Sequence, residues 1–133
     1  MWHKIMCVLY ANKLWKEQMT ITPERIEARL YELSKEIDAA HDELVAAEKK
    51  YHTDKAVFEI AIARARIHIG TNNLKLRVGD VADKALLECE QEWINLQTAE
   101  ALVKAARANT NRVRTQVDIA RSIGTSVRAS LEV

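Results

Sequence analysis

Apolar residues recur at alternating steps of three and four along most of this 133-residue chain, and that spacing restricts the fold more than any other feature. The first run is Leu30, Leu33, Ile37, Ala40, Leu44, Ala47 and Tyr51, continuing with Phe58 and Ala61 beyond a polar Asp54. The second begins Ala82, Leu86, Cys89, Trp93, Leu96, Ala99, Val103 and Ala106, and continues through Thr110, Val113, Val117, Ala120, Val127 and Leu131. A mean step of 3.5 residues keeps one stripe of a helix facing a neighbouring helix along its whole length. Strands repeat every two residues and cannot produce this pattern. With only three Gly and one Pro, few positions are available to interrupt it. The expected fold is therefore mainly α: two long antiparallel helices, a helical hairpin of the coiled-coil type, joined by a short tip. Alanines along the seam allow close helix approach.

The chain is expected to organise as residues 1–18, an N-terminal extension, and residues 19–133, a single helical-hairpin domain. The segment "MTITPERIEARL" is a strong helix start. Thr22 suits the N-cap, Pro23 the first helical position, and Glu24 the positive end of the helix dipole. Ile21 and Ile26 stand where a hydrophobic staple requires them. Met19 is therefore a candidate alternative translation start, with residues 1–18 dispensable. A competing reading docks residues 1–18 as a helix through Trp2, Leu9 and Trp15. The apolar stretch after Lys4 lacks a cleavage site and does not read as a signal peptide.

Between the two runs lies "RARIHIGTNNLKLRVGD". Two of the three glycines gather here, with Arg64, Arg66, His68, Lys75 and Arg77 in fourteen positions. Ile67, Ile69, Leu74, Leu76 and Val78 alternate with the basic residues around a GTNN turn. Two structures fit: a short β-hairpin with one apolar and one basic face, or a helix end followed by an irregular loop. Asp80 then restarts a helix.

The net charge of +1 conceals alternating blocks. Counting Lys and Arg against Asp and Glu, residues 19–59 sum to −4, 60–84 to +3, 85–103 to −4 and 104–133 to +4. Such a chain can bind a polyanion with some segments and repel it with others. One basic group is Arg64, Arg66, Lys75 and Arg77, with Lys84 nearby. The other contains Arg107, Arg114, Arg121 and Arg128, seven apart and hence on one helix face. Arginine's planar fork suits phosphate. Pairing of these arginines with the acidic first helix is the competing expectation.

No catalytic chemistry is legible, and the chain reads as a non-enzyme without cofactor. Asp38 and His41 form a single D-x-x-H, whereas a bundle di-metal site needs several such motifs, so a solvated helix face is expected and no metal. There is no phosphate-binding glycine loop and no nucleophile elbow. Cys7 and Cys89 fit neither metal nor disulfide spacing, which points to a reducing, cytoplasmic compartment. Cys89 reads as an inert core thiol. No apolar run is long enough to span a bilayer. Two helices bury little surface by themselves, so self-association is expected through Leu86, Trp93, Leu96, Val103, Val113 and Val117.

The layout resembles the phage recombination mediators of the UvsY kind, known from T-even phages, over about residues 30–130. The resemblance rests on "LYELSKEI" opening a charged helix and "KKYHTDKAVFEIAIARARI" running into a Gly-containing break. It continues with "DKALLECEQEWINLQTAEALV", with a Trp on its seam, and the closing "VDIARSIGTSVRASL". The lysines and arginines do not match the family one for one. The resemblance implies a non-enzymatic protein that forms a homo-oligomeric ring, binds single-stranded DNA, and helps load a recombinase onto strands held by single-strand-binding protein. A coiled-coil adaptor, or a phage inhibitor gripping a host protein, is the rival expectation.

Overall fold

The computed structural model describes residues 2–132, with side chains described for 2–10 and 20–132. It is mainly helical, with four helices: α1 (Trp2–Met19), α2 (Pro23–Asn72), α3 (Val78–Glu88) and α4 (Glu90–Leu131). Helix α2 begins as its sequence dictates. Thr22 Oγ1 accepts the Arg25 backbone N–H at 3.3 Å, and Ile26 N–H bonds Thr22 O at 3.1 Å. These bonds satisfy donors that the first turn leaves without an intrahelical partner.

The β-hairpin alternative for the connecting region is not realised: no strand occurs among the described residues. Helix α2 instead runs through residues 60–72, leaving only residues 73–77 as connector. The reason lies in the same residues that alternate. Ala61, Ala65 and Ile69 lie four apart and share a helical face, and Ala63 favours helix. A two-stranded hairpin is marginally stable in water, whereas extending α2 buries Ala65 and Ile69. Helices α3 and α4 are separated by Cys89 alone, whose φ of −102° and ψ of 25° lie outside the helical well. Its N–H is shared between Ala85 O and Leu86 O, and its own carbonyl accepts Trp93 N–H at 2.9 Å.

The chain divides into two compact units. One comprises residues 1–35 with 115–133, the other residues 36–114. In the first, Ile26 and Leu33 are buried, and Gly124 comes so close to Ile26 that a Cβ built on it would lie 3.2 Å from Ile26 Cγ2. Arg29 Nη2 donates to Gln116 Oε1 at 3.3 Å. The described side chains of α1, residues 2–10, are all exposed. Trp2 and Leu9 are 84% and 59% exposed among the described residues; the side chain of Trp15 lies outside them. In the second unit, Ala65, Ile69, Ala85 and Cys89 form a buried cluster with Phe58, Ala61, Ile62, Leu76 and Val81 packed against it. Ala40, Ala99, Val103 and Val113 extend the buried seam. Thr110 is buried on that seam and returns its hydroxyl to Ala106 O at 3.0 Å.

Candidate nucleic-acid interface

The connector and its flanking turns are held by local bonds. Asn73 Nδ2 donates to Ile69 O at 3.3 Å, Thr71 Oγ1 to Ile67 O at 2.7 Å, and Leu76 N–H to Asn73 O at 3.1 Å. The first occupies a carbonyl that the last turn of α2 would otherwise leave open, and the second adds a side-chain bond to a carbonyl within the helix. Arg77 stands at the N-cap of α3 in an extended conformation and contributes no capping bond, because its side chain carries only donors.

Around this connector stand Arg64 and Arg66 on α2, Lys75 and Arg77 in the connector, and Lys84 on α3. All five are exposed, and none pairs with a carboxylate among the described residues. Beside them is a concave site of about 570 Å³. Leu74, Leu76, Val78, Val81 and Ala82 make its apolar wall, Gly70 contributes bare backbone, and Arg66 and Asn73 supply polar groups. Leu74 and Val78 are 90% and 88% exposed, which leaves unusual apolar surface among cations.

The second basic group behaves differently along its length. Arg107 Nη2 meets Glu48 Oε1 at 3.0 Å, so for this residue the competing expectation of pairing with the acidic helix holds. Lys104 pairs with Glu100 at 3.3 Å, and Arg112 donates to Asn109 Oδ1 through both Nε and Nη2. Arg114, Arg121 and Arg128 are exposed without a partner among the described residues. Arg107 and Arg114 belong to one unit, Arg121 and Arg128 to the other. Within the second unit, positions seven apart on α4 read Trp93, Glu100, Arg107 and Arg114, passing from apolar through acidic to basic.

The residues expected at an oligomer interface separate into three groups. Val103 and Val113 are buried within the single chain. Leu96 and Val117 are half-buried. Leu86 and Trp93 remain 40% and 43% exposed. A further column, Leu87, Ile94, Ala101 and Ala108, is exposed as well, and sequence reasoning did not single it out. Its seven-residue repeat was the available signal, but the stronger seam beside it masked it.

Asp38 and His41 are exposed, and no three His, Cys, Asp or Glu side chains among the described residues gather as metal ligands. Cys89 is buried, and its thiol is pushed above its ordinary range first by that burial and then by the nearby Glu92 and Glu88 carboxylates. A thiol held protonated is a poor nucleophile. No helix among the described residues is long and apolar enough to cross a membrane. No protein-family model, curated protein or solved structure matches this chain.

Proposed function

We propose that this protein is a non-enzymatic recombination mediator of the UvsY kind. In this reading it self-associates, binds single-stranded DNA through its connector region, and assists recombinase loading on strands held by single-strand-binding protein, in the cytoplasm of a bacterial host. The observation that carries the reading is the cluster of cations around the connector. Arg64, Arg66, Lys75, Arg77 and Lys84 are exposed and have no ion-pair partner among the described residues, as holds also for Arg114, Arg121 and Arg128, whereas Arg107 pairs with Glu48. Unpaired cations crowded at one place repel one another, and a polyanion relieves that repulsion while releasing its own counterions.

The helices form antiparallel coiled-coil pairs in this reading. Support comes from the partners found within each unit: Ile26 with Gly124 and Arg29 with Gln116 in one, Glu48 with Arg107 in the other. Self-association is supported by the exposed apolar columns of Leu86 and Trp93 and of Leu87 and Ile94. The same columns favour the rival reading, an adaptor or phage inhibitor that grips a host protein and ignores DNA.

Size-exclusion chromatography with light scattering, run with and without a thymidine oligonucleotide at low and moderate salt, separates the two. The mediator reading expects an assembly of several chains that co-elutes with the oligonucleotide and releases it as salt rises. An assembly that never retains the strand leaves the adaptor reading; a monomer that ignores it removes the mediator reading altogether.

A further inference from the structure

We infer that the concave site beside the connector receives an unstacked nucleobase of a single strand, while the surrounding cations hold the adjoining phosphates. The inference rests on the nucleic-acid reading above and extends it from charge to selectivity. A polyanion binder needs only cations; this region also has an apolar cavity of about 570 Å³ placed among them. That volume is within the range of small-molecule sites.

Gly70 is the most telling member of the site. A glycine inside a helix is destabilising relative to alanine. No glycine among the described residues has positive φ, so the backbone at position 70 does not require one. A Cβ built there would meet nothing within 4 Å, so close packing does not require one either. Gly70 lines the cavity, so a long side chain at this position would occupy part of its space. Around that opening, Arg66 offers a planar guanidinium able to stack on a base. Asn73 offers Oδ1, since its Nδ2 already donates to Ile69 O. The aliphatic wall of Leu74, Leu76, Val78 and Val81 supplies contact for a flat apolar face.

A base fits this arrangement better than a protein segment. An amphipathic helix docks through anchors at i, i+3, i+4 and i+7, which need a groove several turns long. This cavity is confined to the end of α2, the connector and the start of α3. Single-strand binders generally stack bases on aromatic side chains. Here Phe58 is committed to the buried cluster, Tyr51 is half-buried, and the exposed Tyr31 and Trp93 do not line the cavity, so in this region the cavity takes over that task. A duplex must unstack and unpair a base to enter, so the cavity discriminates against duplex.

The test is fluorescence anisotropy on the full chain with three probes of equal length: a thymidine oligonucleotide, an abasic oligonucleotide with the same phosphates, and a duplex. The wild-type protein is expected to bind the thymidine strand about tenfold or more tighter than the abasic one. Gly70→Leu, which fills the cavity, is expected to lower thymidine-strand affinity to the abasic level and leave abasic-strand affinity unchanged. Gly70→Ala, expected to melt higher than wild type, guards against misfolding as the cause. Equal binding of thymidine and abasic strands overturns the inference and leaves the nucleic-acid reading standing. So does a Gly70→Leu protein that binds the thymidine strand as wild type does. Binding of no probe overturns both. If the wild type captures an acidic leucine-containing peptide in preference to the thymidine strand and Gly70→Leu releases it, the occupant is a protein segment and the inference is wrong.

Discussion

Arg77 occupies a position where helices favour Ser, Thr, Asp or Asn, because those side chains can accept an N–H from the first turn. Its extended φ and ψ are those of an N-cap, yet the first-turn donors of α3 receive no bond from it. Arg77→Ser is therefore expected to stabilise the fold by about 1 kcal/mol, visible as a rise of several degrees in Tm. The same substitution removes one of the five unpaired cations and should weaken strand binding. A variant that melts lower than wild type would contradict this account of the cap. Gly124 shows the opposite use of glycine from Gly70. Where Gly124 meets Ile26, a Cβ would force a neighbour to move, so packing alone accounts for it.

Among the elements, the long helices were the most legible part of the sequence. The Thr22-Pro23 start and the three-and-four spacing depend on local bonds and on one continuous face, and both are written in adjacent residues. The end of α2 was not legible in the same way. From Ala65 to Ile69, a period of two and a period of four place the same residues together. Only burial against Ala85 and Cys89, some twenty residues on, decides between them. The basic residues were found by composition, but which of them are neutralised depends on contacts distant in sequence, such as Arg107 with Glu48. The prediction at this scale compares the two groups. Changing Arg64, Arg66, Lys75 and Arg77 together to Ala should weaken strand binding and flatten its salt dependence, with helicity unchanged by circular dichroism. Changing Arg107, Arg114, Arg121 and Arg128 should have a smaller effect, since one of the four is already paired. If only the second variant loses binding, the connector merely joins two helices.

For the molecule as a whole, burial separates residues that close the chain's own core from residues available to a second copy. Val103 and Val113 belong to the former. Leu87 and Ile94, 74% and 42% exposed, belong to the latter, with Leu86 and Trp93 alongside. Leu87→Glu with Ile94→Glu is thus expected to dissociate an assembly while leaving the monomer helical, because these side chains contribute little to the monomer's core. Val113→Asp should instead unfold the chain, as an unpaired charge at a fully buried site costs several kcal/mol. Sedimentation and circular dichroism distinguish the outcomes. A Leu87/Ile94 double variant that still sediments as the wild-type assembly would move the interface elsewhere.

The freedom of the connector cations also bears on how quickly a strand is captured. Among the described residues no ion pair has to break before Arg64, Arg66, Lys75, Arg77 or Lys84 meets a phosphate, so in the proposed binding mode first encounter would be limited by diffusion and orientation and accelerated by the field of the cluster. Salt should then act chiefly on the association rate. In the proposed binding mode, departure would require withdrawing a base from a largely apolar cavity, a step less sensitive to salt than arrival. If the proposed binding mode holds, the two parts of one small region divide the timing of the encounter between them: charge governs arrival, and the cavity beside Gly70 governs how long the strand remains.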